Sequence, residues 1–153
     1  MIELLNKCFG AYPWKFKNAL DDLNGRYLLA FNEDKLVAMS GITTKSIYTS
    51  YEIDWTCTDP NFQGKGIMTE LLTRLINNLP KDEKPVYCSC WRFGWEEKVN
   101  MFKVMERIGA VEVVHNENSV LAPIRMECTE CAYAREKECT CYTDLYKLER
   151  HQI

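Results

Sequence analysis

Apolar and polar side chains follow two different periods along the chain, and the changes of period divide it into predicted elements. Residues 2–9 place apolar side chains at helical spacing, and a second short helix is predicted after Pro13. Residues 26–31 and 35–43 flank a short polar turn and predict the two strands of a hairpin. Residues 51–58 (YEIDWTCT) alternate acidic or polar with apolar side chains, which predicts a third strand.

The second half of the chain changes between the same two periods. A broad apolar face over residues 67–76 predicts a long helix, residues 85–91 a largely apolar strand, and residues 101–108 an amphipathic helix. A last hairpin is predicted from residues 110–114 and 119–126. This order of two helices, three strands, a helix, a strand, a helix and two strands favours an α/β fold of the α+β kind, with a mixed central sheet flanked by helices.

Composition restricts the class of protein without identifying its chemistry. A chain of 153 residues suits one compact domain, and 46% hydrophobic against 27% charged residues is typical of a globular protein. The net charge of −3 without a basic run argues against a nucleic-acid partner, and no apolar stretch reaches the ~20 residues of a membrane span. The first residues lack the pattern of a signal peptide, so a cytoplasmic protein is expected.

A glycine-containing turn precedes the longest predicted helix, in the stretch DPNFQGKGIMTELL (residues 59–72). The first N–H groups of a helix have no partner within the helix, and the helix dipole adds partial positive charge at that end. Gly64 and Gly66 would let the backbone approach an anion, and Lys65 could add a counter-charge. The spacing is neither that of a P-loop nor GxGxxG. Taken alone, the pattern fits a plain surface turn about as well as a phosphate site.

The wider motif resembles the phosphate-binding motif of the GNAT superfamily of N-acetyltransferases, Gln/Arg-x-x-Gly-x-Gly/Ala after a strand. Gln63, Gly64 and Gly66 match it, and Pro60 stands where the family often has a proline. Met68 occupies the last Gly/Ala position and is a departure.

A second motif supports the same resemblance. KVMERIGA (residues 103–110) is similar to the helix ending R-V-x-E-K-L-G-F of the family, and the resemblance covers roughly residues 2–126. The usual first strand of the family is missing here. The resemblance implies acetyl-CoA as the acetyl donor, with its pantetheine along the strand near Trp55 and at Thr56, Cys57 and Thr58. It also implies a pyrophosphate on the turn formed by Gln63, Gly64, Lys65, Gly66, Ile67 and Met68.

The resemblance also implies where the acid–base groups should be. Many GNAT enzymes carry a catalytic Glu on the strand that holds Glu52, and Asp54 should share its face of the strand. Glu52 is the expected general base, acting directly or through a water, with two solvated acids as the alternative. The family often has a Tyr four residues before the glycine that ends the last long helix, whereas this chain has Met105.

Other polar and aromatic side chains carry weaker signals. Neither His115 nor His151 has the Ser/Asp or Cys context of a triad hydrolase. Five aromatic side chains could line an acceptor pocket, although packing explains each of them as well. They are Trp14, Phe16, Trp91, Phe93 and Trp95.

Four of the eight cysteines lie close together near the C-terminus, with the spacing C-x₂-C-x₇-C-x-C. Thiols at this density suit a tetrahedral Zn²⁺ site, and His151 is a substitute ligand. Two disulfides or free thiols are the alternatives, and no iron–sulfur spacing matches. The predicted ligands are Cys128, Cys131, Cys139 and Cys141.

The sequence thus predicts a GNAT-like domain over residues 1–126 and a Cys-rich extension over residues 127–153 packed on it. The expected activity is acetyl transfer from acetyl-CoA to a primary amine of a small molecule or peptide, with no nucleic-acid or membrane partner. A homodimer is left open. The main alternative is a non-catalytic CoA-binding or metal-binding regulatory module, and a third reading is a metal-stabilised interaction domain.

Overall fold

The computed structural model of the protein describes residues 1–9, 23, 26–44, 50–82, 84–92, 101–115 and 142–150. Within these residues the chain forms helices and strands in the order that the sequence predicts. The helices are α1 (Ile2–Phe9), α2 (Ile67–Asn77) and α3 (Met101–Arg107). The strands are β1 (Tyr27–Asn32), β2 (Lys35–Thr44), β3 (Tyr51–Thr58), β4 (Val86–Arg92), β5 (Val111–Val114) and β6 (Tyr142–Leu148).

The six strands form one mixed sheet in the order β1-β2-β3-β4-β6-β5, which confirms the predicted fold class. β1, β2 and β3 are consecutive antiparallel strands, as the predicted hairpin requires. The first strand of the predicted last hairpin is present as β5, which pairs with β6, and its predicted second strand, residues 119–126, stays a prediction. Those residues lie outside the described part of the chain, as does the predicted second helix. The boundary at residue 126 stays a prediction, although β6 shows that part of the extension is a strand of the sheet.

The chain divides into two compact units, Met1–Val86 with Glu149–Ile153, and Tyr87–Leu148. In the first unit, α1 packs on the sheet through a cluster that contains Leu5, Leu23 and Met39. Gly41 packs directly against Leu23 of this cluster, and a Cβ at Gly41 would collide with the Leu23 side chain. Close packing, and not a special backbone angle, therefore requires glycine at this position.

α2 carries the apolar face that the sequence predicts and packs mainly against β2. Its buried side chains are Met68, Leu71, Leu72, Leu75 and Ile76. A guanidinium binds the chain segment that directly follows the C-terminal end of this helix. Arg150 donates from Nη2 to the carbonyl oxygens of Leu79 (3.4 Å) and Pro80 (2.5 Å), and from Nη1 to Asp82 Oδ1 (2.7 Å).

The second unit contains α3, β5 and β6. Gly109 ends α3 with a φ of +87°, as its position in the sequence predicts. The amide of Gly109 donates to Glu106 O and that of Ala110 to Met105 O, which is the bonding of a Schellman motif. Met105, Tyr146 and Leu148 are fully buried and supply the apolar interior of this unit. None of the described helices is long and apolar enough to span a membrane.

Candidate cofactor-binding turn and active site

The turn before α2 holds two glycines in the left-handed region, where other residues are strained. Gly64 has a φ of +75° and Gly66 a φ of +79°. A Cβ added at either position would have no atom within 4 Å. Backbone conformation therefore explains the two glycines, and the space next to them is open to a ligand.

The amides at the start of α2 are unsatisfied by the helix itself. The first helical bond runs from Glu70 N to Gly66 O (3.1 Å), so the N–H groups of Ile67, Met68 and Thr69 precede it. The helix dipole adds partial positive charge at the same place. Next to the turn, the Nζ atom of Lys65 lies 4.8 Å from the centre of the Phe62 ring. This end of α2 can hold an anion such as a phosphate.

Met68, the departure from the family motif, points away from the open side of the turn. Its side chain is buried with Leu72 and Leu75 in the apolar face of α2. A large side chain at this position therefore contributes to the core and leaves the amide of Met68 at the helix start. The structure gives a physical reason why methionine is tolerated where the family has glycine or alanine.

Asp59 holds the chain segment that leads into the turn, a role that was not predicted from the sequence. Its buried carboxylate accepts two hydrogen bonds from Lys7 Nζ (2.7 and 2.8 Å) and one from the amide of Asn61 (3.0 Å). Lys35 Nζ lies 3.4 Å away. The Lys7 ammonium, the Asn61 amide and Lys35 lower the pKa of Asp59 to about 2, against the effect of burial. The Asp-Pro dipeptide, a turn signal, was the available clue.

A β-bulge interrupts β3 where the resemblance places pantetheine. Met39 is opposite Cys57, but Gly41 is opposite Asp54, so Trp55 and Thr56 together face Ser40. Trp55 takes a φ of +49°, which is unusual for a bulky residue.

Hydroxyl groups hold the bulge in place. Ser40 Oγ and Thr56 Oγ1 are 2.7 Å apart, and Thr56 Oγ1 also donates to the carbonyl oxygen of Asp54 at 3.2 Å. Because the bulge adds one residue, Cys57 lies on the same face of the sheet as Asp54 and Glu52. β3 thus carries Glu52, Asp54 and Cys57 on one face.

Glu52 and Asp54 share a face of β3, as the sequence predicts. Tyr51 precedes them and Ile53 lies between them, and both of these side chains are buried. Glu52 is half-buried and Asp54 is exposed. Asp54 accepts a hydrogen bond from the amide of Trp55 (2.8 Å) through Oδ1. Asp54 thus takes part in the bulge, and the role of Glu52 as general base stays a prediction. Met105 is fully buried in α3 and offers no acid where many relatives have a Tyr.

Two thiols meet beside the same strand. Cys8 of α1 packs against the cluster that contains Cys57, and its Sγ donates to Thr58 O (3.4 Å). The hydrogen bond with Cys57 lowers the pKa of the Cys8 thiol, and the same hydrogen bond together with burial raises the pKa of Cys57. Both thiols are free.

The remaining predicted residues lie largely outside the described part of the chain. This holds for Cys128, Cys131, Cys139 and Cys141, and for the aromatic residues Trp14, Phe16, Phe93 and Trp95. The structure brings together the residues of the turn, which are Gln63, Gly64, Lys65, Gly66, Ile67 and Met68. Gln63 Nε2 donates to Thr58 O at 3.2 Å, which ties the turn to the end of β3.

Comparison with known proteins agrees with this geometry. A search of the curated proteins finds no match. Among solved structures, a GNAT-family acetyltransferase from Bacillus cereus ATCC 10987 superimposes with a TM-score of 0.67 at 12% identity, covering 97% of this chain and 87% of that chain. The ribosomal-protein-S18-alanine N-acetyltransferase of Escherichia coli gives a TM-score of 0.62 at 15% identity, covering 97% and 84%.

An aminoglycoside 6′-N-acetyltransferase complexed with coenzyme A gives a TM-score of 0.63 at 13% identity, covering 97% of this chain and 88% of that chain. At these identities the solved structures establish the fold alone. The sequence establishes the family, because residues 1–91, more than half of the chain, match the model of the Acetyltransferase (GNAT) family. The chain belongs to the GNAT family of acetyltransferases.

Proposed function

We propose that the protein is an acetyl-CoA-dependent N-acetyltransferase that acts on a primary amine of a small molecule or a peptide. The observation that carries the proposal is the turn Gln63–Met68, which leaves the first amides of α2 without helical partners next to open space. In this proposal those amides bind the pyrophosphate of acetyl-CoA, and the bulged segment Trp55–Thr58 lies along its pantetheine.

Glu52 is proposed as the general base. Acetyl transfer requires a neutral amine, which attacks the thioester carbonyl while the CoA thiolate leaves. A lysine amine with a pKa of ~10.4 is neutral in about one molecule in 2500 at pH 7, whereas an α-amine with a pKa of ~7.7–8.0 is neutral in roughly a tenth. A half-buried carboxylate on β3 can take the surplus proton, and a lysine-type acceptor depends on it more than an α-amine does.

The leaving thiolate is proposed to depart without a positioned acid at the usual place. Met105 is buried and cannot donate a proton. A positioned acid typically contributes about 10²–10⁴-fold, but a thiol with a pKa near ~8.5 is an acceptable leaving group without one. The two relatives that act on ribosomal-protein alanine and on an aminoglycoside, by their names, both acetylate amines, and both acceptor classes are included in the proposal.

The direct test is release of the CoA thiol from acetyl-CoA in the presence of an amine panel. The panel contains peptide N-termini, lysine peptides, polyamines and aminoglycosides. Turnover with at least one acceptor, carried out by the wild-type chain and lost on heating, is the expected result. Tight acetyl-CoA binding without turnover would instead favour a non-catalytic CoA-binding module, and absence of both binding and turnover would reject the proposal.

The four tail cysteines remain proposed zinc ligands. Residues 127–141 are polar, and small units of this kind usually need a metal or disulfide to fold. Metal analysis of reduced protein purified without chelator should give about one sulfur-bound zinc per chain, lost in the Cys128→Ser/Cys131→Ser variant. Reduced protein without such zinc would leave disulfides or free thiols. A cytoplasmic location and a homodimer also remain predictions.

A further inference from the structure

An imidazole and two carboxylates lie close together at the end of β5. None of these three residues was predicted as a site residue from the sequence. His115 Nδ1 lies 3.2 Å from Glu112 Oε1 and 3.1 Å from Asp144 Oδ1. The three atoms all lie within 4.8 Å of one another. Glu112 and His115 are close in sequence, whereas Asp144 comes from β6, the strand paired with β5.

The two distances from His115 Nδ1 to the carboxylate oxygens suit ligands of one metal ion. Zn²⁺ binds imidazole nitrogen at ~2.0–2.1 Å and carboxylate oxygen at ~2.0–2.2 Å, which places neighbouring ligand atoms about 2.9–3.5 Å apart in octahedral or tetrahedral geometry. Both nitrogen–oxygen distances fall in that range. A proton on Nδ1 can point along a straight line at only one of the two oxygens, whereas a cation between the three atoms contacts all of them.

The residues of this cluster differ in burial. The Asp144 side chain has no exposed surface, while that of His115 is 65% exposed. The cluster is therefore anchored in the interior on one side and open to solvent on the other. An ion held there would keep a position for water, as open three-ligand sites do.

Tyr146 contacts the cluster through Glu112. Its buried hydroxyl lies 3.2 Å from Glu112 Oε2 and 3.3 Å from Glu106 Oε1. The contact orients Glu112 so that its other oxygen, Oε1, faces His115. Hydrogen bonding of the second carboxylate oxygen is the usual support of a metal ligand. The ring of Tyr142 packs edge-on against His115, with centroids 5.8 Å apart.

We propose that Glu112, His115 and Asp144 form a site for a divalent cation of the zinc class. One imidazole with two carboxylates favours Zn²⁺ or a similar first-row ion over Mg²⁺ or Ca²⁺, which prefer oxygen alone. The bound ion links the end of β5 to β6 and stabilises this strand pair. The donor set is nitrogen and oxygen, which separates the site from the sulfur donors proposed in the tail.

The test uses the full chain, reduced, with paramagnetic Co²⁺ and nuclear magnetic resonance of the histidine rings. The chain has two histidines, and His151 is a substitute ligand of the proposed tail site, so the titration is run with and without the Cys128→Ser/Cys131→Ser substitutions. We expect Co²⁺ to shift or broaden the ring signals of His115 at the same low concentration in both forms. Ring signals of His115 that stay unchanged, or that respond only when the tail cysteines are present, would overturn the proposal.

Affinity for Zn²⁺ and Co²⁺ then separates a three-ligand site from attraction to one exposed histidine. Asp144→Asn and Glu112→Gln should each weaken the binding step seen at His115 by at least 10-fold. Glu70→Gln, an exposed glutamate of α2, should leave it unchanged. Because Asp144 is buried, its variant could fail to fold, and the exposed Glu112 then decides the outcome. Unchanged affinity in Glu112→Gln would overturn the proposal.

Discussion

The two ends of α2 have opposite electrostatic needs and meet them in different ways. At the N-terminal end, the amides of Ile67, Met68 and Thr69 precede the first helical hydrogen bond, and the space beside Gly64 and Gly66 is open. Beyond the C-terminal end, the guanidinium of Arg150 contacts carbonyl oxygens and Asp82, and only 11% of its side chain is exposed. Arg150 thus supplies positive charge just beyond one end of the helix, and the other end is where we propose that the ligand binds.

This difference separates binding from stability along a single helix. The helix dipole favours an anion at the first end and a cation at the second. If the account is right, changes at the turn should alter acetyl-CoA affinity with little effect on folding. Changes at Arg150 should do the reverse. The following predictions test this separation, beginning with the largest expected effect.

Gly66→Asp should weaken acetyl-CoA binding by on the order of 10²-fold or more. A carboxylate about 4 Å from a phosphate is repelled by several kcal/mol at the effective dielectric of a protein surface. Calorimetry of acetyl-CoA binding measures the loss, and circular dichroism checks that the fold persists.

Two variants separate charge from backbone strain in this experiment. Gly66→Asn keeps the size of the side chain without its charge and should lose much less affinity. Gly109→Asp places the same residue at another glycine with positive φ and open surroundings, and should leave affinity unchanged. Equal affinity in Gly66→Asp and the wild type would remove the turn from the binding site.

Glu52→Gln should reduce kcat/KM by on the order of 10²-fold with a lysine-type amine, because a positioned base typically contributes that much. The loss should be smaller with an α-amine, whose neutral form is far more abundant. Acetyl-CoA affinity should stay the same, which distinguishes chemistry on β3 from binding at the turn. Asp54→Asn is the matched control on the same face. Equal and small losses with both amines would make Glu52 a surface acid.

Arg150→Ala should lower the free energy of unfolding by about 2 kcal/mol, since hydrogen bonds of a charged group are worth roughly 1.5–3 kcal/mol and are not additive. Chemical denaturation measures the change. Arg74→Ala is the control, because Arg74 pairs with Glu70 on the same helix but both side chains are more than 60% exposed. That change should cost less than about 0.5 kcal/mol. A similar small cost for both arginines would contradict the proposed role of Arg150.

Asp59 should add a pH-dependent part to the stability of the first unit. Its pKa in the folded protein, about 2, is below the ordinary value of 3.8. The ion pair with Lys7 therefore stabilises the fold above pH 3.8, and this contribution is lost as the pH falls towards 2. The difference in unfolding free energy between the wild type and Asp59→Asn should shrink over that interval. A difference that stays constant with pH would mean that packing, not charge, is what the substitution disturbs.

Local patterns predicted the parts of the protein that depend on local sequence. The alternation in residues 51–58 predicted β3 with its observed ends. The glycines predicted the turn because backbone positions with positive φ favour glycine. The bulge at Trp55 could not be predicted in this way, because its register depends on Ser40 in the neighbouring strand.

Partners from distant segments were harder to predict. β6 carries polar residues at buried positions, including Thr143 and Asp144, so its pattern does not look like a central strand. The contact of Asp144 with His115 could not be predicted from local sequence, since Asp144 comes from another strand. Side-chain clusters of this kind depend on strand pairing, which one sequence does not contain.

The amide signals of the turn provide the most direct test of the central claim. Titration of the isotopically labelled full chain with acetyl-CoA, followed by amide chemical shifts, reports which backbone groups meet the ligand. We predict the largest shifts at Gly64, Gly66 and Ile67–Thr69, with a saturation curve that matches calorimetry. Saturable binding that leaves these amides unchanged, or no binding at all, would contradict the account.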